Sequence, residues 1–234
     1  FGFMGFLDDF IKVKKKHNEG LTVMQKIVIQ VLIIAAYFAT LYLNGMTRTA
    51  ILFPWGWTWE LGWLYYPIMG IVILYLVNAV NLTDGIDGLA ASVTVPVAVF
   101  FAAVGARIGN TGVTIFAGAL AGGLLGFLIY NFNPAKVFMG DTGSLFLGGA
   151  VAGMAFACDM PLILLLVGLI YIIETLSVIL QVTYFKATHG KRLFKMAPIH
   201  HHFEMCGWGE KRIVLTFTAV TIVLCLAAYF VALP

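Results

Sequence analysis

Long apolar stretches dominate the pattern of this chain, and short polar segments separate them. Seven stretches are long enough to span, or nearly span, a membrane, which takes about 20 mostly apolar residues. The stretch at 143–158 is a little short and needs its flanking residues. The seven lie at residues 24–43, 63–80, 89–106, 112–130, 143–158, 161–184 and 213–233. The pattern predicts seven membrane-spanning helices.

The composition agrees with this pattern. Hydrophobic residues make up 61% of the 234 positions, and charged residues only 11%. This profile is typical of an integral membrane protein and argues against a water-soluble domain. Since no linker or repeat divides the chain, we predict an all-α, polytopic membrane protein with one domain over residues 1–234. Residues 1–7 are expected to end a span that begins earlier.

The basic residues are distributed unevenly between the predicted loops. If residues 8–23 lie on one side of the membrane, segments 81–88, 131–142 and 185–212 return to that side. It then receives twelve of the fourteen Lys and Arg residues. Because basic residues accumulate in cytoplasmic loops, this side is predicted to be the cytoplasm. A basic rim attracts anionic lipids and phosphorylated substrates.

Segment 44–62, on the opposite side, has a different pattern. Alternation in TRTAILF and TWE, with a turn signal at residues 54–56, predicts a small periplasmic hairpin. Its residues Trp55, Trp57 and Trp59 are expected in the aromatic belt of the membrane interface. We interpret this segment as structural.

Five aspartates lie at the predicted cytoplasmic ends of the apolar stretches. Carboxylates near hydrocarbon are costly unless they are solvated, paired or bound to a metal. Three acidic segments at one surface would form a cation site, whereas a solvated helix end is the simpler interpretation of any one segment. The aspartates are Asp8, Asp9, Asp84, Asp87 and Asp141.

The segment NAVNLTDGIDGL carries polar residues at regular intervals. Asn81, Asp84 and Asp87 are three apart, so they share one face if the segment is helical. Gly85 and Gly88 allow a ligand or another backbone to approach closely. A polar turn between two spans is the alternative interpretation.

The segment NFNPAKVFMGDTGS precedes another apolar stretch. Asp141, Thr142 or Ser144 is expected to cap the next helix, and a helix N-terminus next to Gly140 suits a phosphate group. Because an aspartate repels phosphate, a bridging Mg²⁺ is expected there.

Three consecutive histidines occupy the long basic segment 185–212. Their side chains diverge, so they fit phosphate and sugar contacts better than one shared zinc ion. Gln181 lies near the cytoplasmic end of the preceding span and is expected to face a ligand, while Glu174 lies deeper and its role stays open. The histidines are His200, His201 and His202.

The chain closely resembles the phospho-N-acetylmuramoyl-pentapeptide transferase family in four segments that occur in the same order. They are LDDFIKVKKK, NAVNLTDGIDGLA, NFNPAKVFMGDTGS and MAPIHHHFE. PIHHHFE favours this branch over the related polyprenyl-phosphate HexNAc-1-phosphate transferases. The resemblance implies Mg²⁺-dependent transfer of phospho-MurNAc-pentapeptide from UDP-MurNAc-pentapeptide to undecaprenyl phosphate. The products are lipid I, for peptidoglycan synthesis, and UMP.

The resemblance also implies an architecture and partners. The family has ten spans in the bacterial inner membrane, a cytoplasmic active site, and usually a homodimer in contact with membrane lipids. Nucleic acid is not among the expected partners. Its earlier spans, with a basic residue that faces the nucleotide, lie outside this sequence. Met24 stands where relatives commonly have lysine, and Lys26 lies close by.

Individual roles follow from the motif match alone. Asp141 resembles the Mg²⁺ ligand, and Asp8 resembles the residue that deprotonates the lipid phosphate, with Asp9 beside it. Phe138 resembles the residue that stacks on uracil. His200 and His201 resemble further catalytic residues. Asn81 and Asp84 resemble residues of the uridine pocket. The other positions that resemble substrate-binding residues are Asp87, Asn131, Gln181, His202 and Lys26.

Three alternatives remain at this stage. A transferase of the same class that uses another UDP-HexNAc is the nearest. A cation or nucleotide-sugar transporter is disfavoured, because it should carry polar residues near the centres of its spans. An inactive scaffold is the third.

Overall fold

The computed structural model describes residues 1–16, 20–45, 49–53 and 57–232. Over these residues the fold is almost entirely helical, as predicted. The helices are α1 Gly2–Lys15, α2 Val23–Leu43, α3 Tyr65–Thr83, α4 Leu89–Arg107, α5 Thr111–Asn131, α6 Gly140–Ala157, α7 Leu164–Val167, α8 Leu169–Ala187, α9 Ile199–Met205 and α10 Glu210–Ala232. Short 3₁₀ turns at Gly62–Leu64 and Pro161–Ile163 precede α3 and α7.

Six helices in the described part of the chain are long and apolar enough to cross a membrane. They are α2, α3 (with its 3₁₀ turn), α4, α5, α8 and α10. The predicted stretch 143–158 forms α6, which has 18 residues and a polar first turn that contains Asp141. The six candidates among the described residues are one fewer than the seven predicted stretches, and α6 is not among them.

The predicted stretch 161–184 is not a single helix. A 3₁₀ turn that begins with Pro161 leads into the short α7, and Gly168 separates α7 from α8. Proline suits the first positions of a helix, whereas glycine is a poor helix former. The spanning helix therefore starts at Leu169 and continues to Ala187, beyond the predicted end.

The predicted hairpin is present at the other end of the bundle. Strands β1 Ala50–Leu52 and β2 Thr58–Glu60 pair antiparallel, with Ile51 opposite Trp59. Trp57 and Trp59 are exposed. The predicted turn at 54–56, with Trp55, lies outside the described residues.

Close backbone approach brings α1, α3 and α6 together. Gly5 of α1 lies so close to the backbone of Asp141 and Thr142 that a Cβ atom there would overlap it. Gly148 of α6 faces Val77 of α3, where a Cβ atom would be 2.6 Å from the Val77 Cα atom. Small residues at these positions let helices pack without side chains between them. This packing fixes the aspartates of α1 beside the start of α6.

Candidate active site

Three carboxylates meet where the end of α1 touches the first turn of α6. Asp8, Asp9 and Asp141 each offer one oxygen atom, and these atoms all lie within 4.8 Å of one another. The Asp8 side chain is fully buried, while those of Asp9 and Asp141 are 31% and 20% exposed. We call these three residues the carboxylate cluster. The structure brings them together as the sequence predicts.

Two lysines neutralise much of this negative charge. The Nζ atom of Lys12 lies 2.6 Å from Asp8 and 3.0 Å from Asp141, and it is 3.6 Å from Asp9. Lys26, from the first turn of α2, lies 2.9 Å from Asp8 and 3.0 Å from Asp141. Both ammonium groups therefore bind the same two carboxylates.

Lys26 reaches the cluster because α2 begins next to α1. Asp8 accepts a hydrogen bond of 2.6 Å from the amide of Leu21, which fixes the entry into α2. Thr22 then caps the helix in a reciprocal arrangement with Gln25. Met24 points away and is 68% exposed. Lys26 thus supplies a positive charge to the cluster from α2.

Asp9 caps helix α6 from outside. Its Oδ2 atom accepts hydrogen bonds from the Thr142 amide at 2.9 Å and the Thr142 hydroxyl at 2.7 Å. The prediction that Asp141, Thr142 or Ser144 caps this helix is wrong, because α6 begins at Gly140 and all three residues lie inside it. A carboxylate at this position is stabilised by the free amides and the dipole of the helix N-terminus.

Asn81 orients Asp141 from the side opposite the lysines. Its Nδ2 atom donates to Asp141 Oδ1 at 3.0 Å and to the Ser144 hydroxyl oxygen at 2.8 Å. Ser144 in turn donates to the Gly140 carbonyl oxygen at 2.8 Å. The carboxylate is therefore held on both oxygen atoms.

These contacts keep Asp141 ionised. Burial alone would raise the pKa of its carboxyl group, but hydrogen bonds outweigh burial and hold the pKa well below its usual range. The donors of these hydrogen bonds are Asn81, Lys12 and Lys26. Burial lowers the pKa of Lys12, yet its bonds to Asp8 and Asp141 leave that pKa above its ordinary value. The Asp141 carboxylate and the Lys12 ammonium group are therefore both charged at neutral pH.

The turn after α3 separates residues that the sequence spacing groups together. Helix α3 ends at Thr83, so Asn81, Asp84 and Asp87 do not share one helix face. Asn81 contacts the cluster, whereas the Asp87 Oδ2 atom accepts the amide of Ala135 at 2.8 Å. Gly88, whose φ is 77°, ends this turn immediately before α4, in a conformation that glycine adopts readily.

Asp87 belongs to a hydrogen-bonded group of three residues, Asp87, Asn133 and Glu210, which we call the clamp. The Asn133 side chain donates to Asp87 Oδ2 at 3.3 Å and to Glu210 Oε2 at 3.1 Å. Glu210, at the start of α10, also accepts the backbone amide of Asp87 at 3.3 Å. The clamp joins the α3–α4 turn, the segment after α5, and α10.

The segment between α5 and α6 presents Phe138 to the outside. Asn131 is 3% exposed and its Nδ2 atom donates to the Val137 carbonyl oxygen at 2.9 Å, which shapes this segment. Phe138 is 75% exposed. An aromatic side chain held outward in this way is free to stack on a planar ligand.

The three histidines have separate partners. The Nδ1 atom of His200 lies 2.9 Å from Glu174, and that of His201 lies 2.5 Å from Glu204. His202 accepts a hydrogen bond from the backbone of Lys195. Gln181 accepts the amides of Leu193 and Phe194 at 3.1 and 2.8 Å, so it supports the loop before α9. The expectation that the histidines do not converge on one ion fits this arrangement.

Sequence similarity to known proteins extends over nearly the whole chain. The model of the family described as glycosyl transferase family 4 matches residues 1–159. A phospho-N-acetylmuramoyl-pentapeptide-transferase of Clostridium perfringens is 54% identical over 230 residues, which cover 98% of this chain and 72% of that protein. The chain belongs to this transferase family.

Two further phospho-N-acetylmuramoyl-pentapeptide-transferases support the assignment. The protein of Clostridium beijerinckii is 53% identical over 236 residues, covering 100% of this chain and 71% of that protein. The protein of Clostridioides difficile is 51% identical over 226 residues, covering 96% and 70%. The resemblance predicted from four motif segments is confirmed, and the chain is a multi-pass membrane transferase.

Several site residues of this transferase are missed by the sequence reasoning. Lys12 is counted only as a basic residue, although its spacing of four from Asp8 and three from Asp9 is a usable signal. Thr142 and Ser144 are treated as helix caps, and nothing local connects Glu210 to Asp87 across 123 residues.

Asp84 gives this transferase a pH dependence that can be measured. Burial, followed by the negative charge of Asp141, raises the pKa of Asp84 from 3.8 to about 7. Since the folded-state pKa lies above the unfolded one, stability is full below about pH 4 and falls as the pH rises to about 7. We expect a loss of at most about 4 kcal/mol over this window.

Thermal unfolding in Mg²⁺-free detergent solution at several pH values tests this expectation. Asp84→Asn has no proton to lose, so its stability should change less between pH 4 and pH 7, and it should exceed the wild-type stability above pH 7. Parallel wild-type and variant curves would contradict a raised pKa at Asp84.

Proposed function

We propose that the protein transfers phospho-MurNAc-pentapeptide from UDP-MurNAc-pentapeptide to undecaprenyl phosphate, which yields lipid I and UMP in peptidoglycan synthesis. The observation that carries the proposal is the carboxylate cluster with its two lysines at one end of the helix bundle. Phosphoryl transfer depends mainly on positioning and on charge stabilisation. A site with fixed carboxylates and ammonium groups supplies both.

The cluster fits a magnesium ion. Oxygen atoms are the ligands that Mg²⁺ prefers, and it is usually bound through one or two carboxylates together with substrate phosphates. Asp141 would be its principal ligand, with Asp8 and Asp9 within 4.8 Å. The two lysine ammonium groups already bind Asp8 and Asp141, which shows that these oxygens favour positive charge. A bound Mg²⁺ would supply charge neutralisation for the diphosphate.

The residues of the chain then divide the reaction between them. Asp8 takes the proton of the lipid phosphate, and the phosphate oxygen attacks the phosphorus atom that is bonded to the sugar oxygen. The bond between that phosphorus atom and UMP breaks, and UMP leaves. Lys12 and Lys26 stabilise negative charge as it moves, because their ammonium groups already lie 3.0 Å from Asp141. Asn81 keeps Asp141 in place.

The test is an assay of UMP release by the purified protein. UDP-MurNAc-pentapeptide, undecaprenyl phosphate and Mg²⁺ should all be required, and EDTA should stop the reaction. Replacing the donor with UDP-N-acetylglucosamine tests the alternative of another UDP-HexNAc. Absence of UMP release with the pentapeptide donor, or equal rates with both donors, would contradict the proposed substrate.

Phe138 should contribute to nucleotide affinity and little to folding. Stacking of an aromatic side chain on a base is worth about 1–3 kcal/mol, so Phe138→Ala should weaken UMP binding by about tenfold or more. Its side chain is 75% exposed, so the melting temperature should stay the same. Calorimetric titration with UMP measures the change. Phe230, 77% exposed near the far end of α10, gives the control variant Phe230→Ala, and equal affinity in both variants would contradict stacking.

The active site is proposed to face the cytoplasm of a bacterial inner membrane. Cys206 is exposed beside the histidines, whereas Cys158 and Cys225 are buried. A membrane-impermeant maleimide should therefore label Cys206 in inside-out vesicles and leave it unlabelled in right-side-out vesicles. The reverse pattern would place the site on the other face, against the distribution of basic residues.

A further inference from the structure

A buried glutamate–histidine pair lies behind the polar end of the bundle, outside the carboxylate cluster. Glu174 belongs to α8 and His200 to α9, and both side chains are 0% exposed. The Glu174 Oε2 atom lies 2.9 Å from Nδ1 of His200. Replacing a buried ionisable pair by apolar residues is often neutral or stabilising, so such a pair points to a role other than stability.

The other ring nitrogen of His200 points at the turn that carries Asp84. Its Nε2 atom is buried and has no hydrogen-bond partner among the described residues. The ring lies against Gly85, where a Cβ atom would overlap it at 2.6 Å from Cε1. Gly85 has no positive φ, so the ring, rather than the backbone conformation, demands a residue without a side chain here. His200 therefore sets the position of this turn.

The glutamate determines the chemical state of that contact. A carboxylate accepts a hydrogen bond, so it selects the neutral histidine tautomer that carries its hydrogen on Nδ1. The Nε2 atom then faces the turn as a lone pair. In the opposite tautomer an N–H group would be buried against Gly85 with no acceptor, which is unfavourable. Glu174 thus fixes both the orientation and the tautomer of His200.

We propose that Glu174 is a positioning residue that acts through His200 to hold the Asp84–Gly85 turn in the geometry that binds the nucleotide. The proposal rests on the proposed function, because it takes this turn as part of the nucleotide site. His200 is then a positioning residue too, since its buried ring reaches the turn and not the cluster. This role differs from the catalytic one that the family resemblance implies for His200, and the experiment below separates them.

The neighbouring dyad offers a matched control. His201 and Glu204 form the same kind of bond at 2.5 Å, but both side chains are partly exposed and both belong to α9. The rings of His200 and His201 lie 4.1 Å apart. Glu204→Gln therefore disturbs a dyad of the same chemistry next to the buried one, without contact to Gly85.

The experiment compares the variants Glu174→Leu, Glu174→Gln and Glu204→Gln of the protein. Nitrogen-15 NMR of labelled histidines, without substrate, should show the Nδ1–H tautomer of His200 in the wild type and loss of it in Glu174→Leu. UMP affinity should fall about tenfold in Glu174→Leu, while kcat at saturating substrate changes less than about threefold. Glu174→Gln keeps an acceptor oxygen and should restore both properties, and Glu204→Gln should leave the His200 tautomer unchanged.

A second variant approaches the same contact from the other side. Gly85→Ala should lower UMP affinity by about the same factor as Glu174→Leu, because it displaces the ring, and adding His200→Ala in the same chain should lower the affinity little further, because the contact is already lost. If Glu174→Leu does not fold, Gly85→Ala tests the same contact. An unchanged tautomer in Glu174→Leu, or unchanged UMP affinity in the variants that fold, would overturn the proposal. If the wild type binds UMP but does not use the pentapeptide donor, only the proposed reaction fails.

Discussion

Asp141→Asn should lower kcat by about 1000-fold or more, a larger effect than the accompanying loss of ion-pair stability can explain. The substitution keeps the shape of the side chain but removes the charge that two ammonium groups and Asn81 share. Removing one preorganised electrostatic group from an active site costs about 100- to 1000-fold in kcat, and loss of the proposed metal ligand would add to this. The effect should therefore be the largest of any single carboxylate in the site.

UMP release over a range of Mg²⁺ concentrations measures this effect. The variant should show no saturable dependence on Mg²⁺, whereas Glu60→Gln, an exposed carboxylate of the distant hairpin, should behave as the wild type. Thermal melting of both variants excludes unfolding as the cause. Near-normal turnover of Asp141→Asn would remove Asp141 from the metal site.

Asp8→Asn should reduce both activity and stability. Loss of a general base typically costs about 100- to 10,000-fold in rate. The side chain is fully buried, and without its charge Lys12 and Lys26 lose their shortest ion pairs. Breaking a fully buried ion pair costs about 3–5 kcal/mol, and because the two lysines are about one-third exposed we expect about 2 kcal/mol here.

A second substitution separates the two effects of Asp8→Asn. In Asp8→Asn both ammonium groups compete for the Asp141 carboxylate; if this excess positive charge causes the instability, adding Lys26→Met should recover part of the lost stability and none of the activity. Chemical unfolding and UMP release on the same preparations give both values. Full stability of Asp8→Asn, or recovery of activity in the double variant, would contradict the role of Asp8 in the cluster.

The helical architecture could be predicted from the sequence because each span is a local signal. Apolar length alone identifies the six spans, since every backbone group in a membrane must be satisfied within a helix. Apolar length predicts helix bounds poorly where polar or helix-breaking residues interrupt an apolar stretch. The polar first turn of α6 and the breaks at Pro161 and Gly168 change helices that hydropathy alone predicts as plain spans.

The site could be predicted only in part, for a related reason. Aspartates at span ends are conspicuous against an apolar background, so Asp8, Asp9 and Asp141 are found and their meeting follows from topology. The placement of Glu174 depends on α9 folding back against α8, and that contact leaves no local pattern. Asp87 is conspicuous in the same way, yet in the structure it bonds to the segment after α5.

The contact of Glu210 with Asp87 bears on how the protein is made. These residues lie 123 positions apart, and Glu210 opens the last described helix. During synthesis, the turn with Asp84 and Asp87 therefore leaves the ribosome before Glu210, whose carboxylate supports this turn, is added to the chain. The turn, which is proposed to bind the nucleotide, gains this contact only after Glu210 has been synthesised, so premature termination before residue 210 leaves it without this support even when the carboxylate cluster is complete.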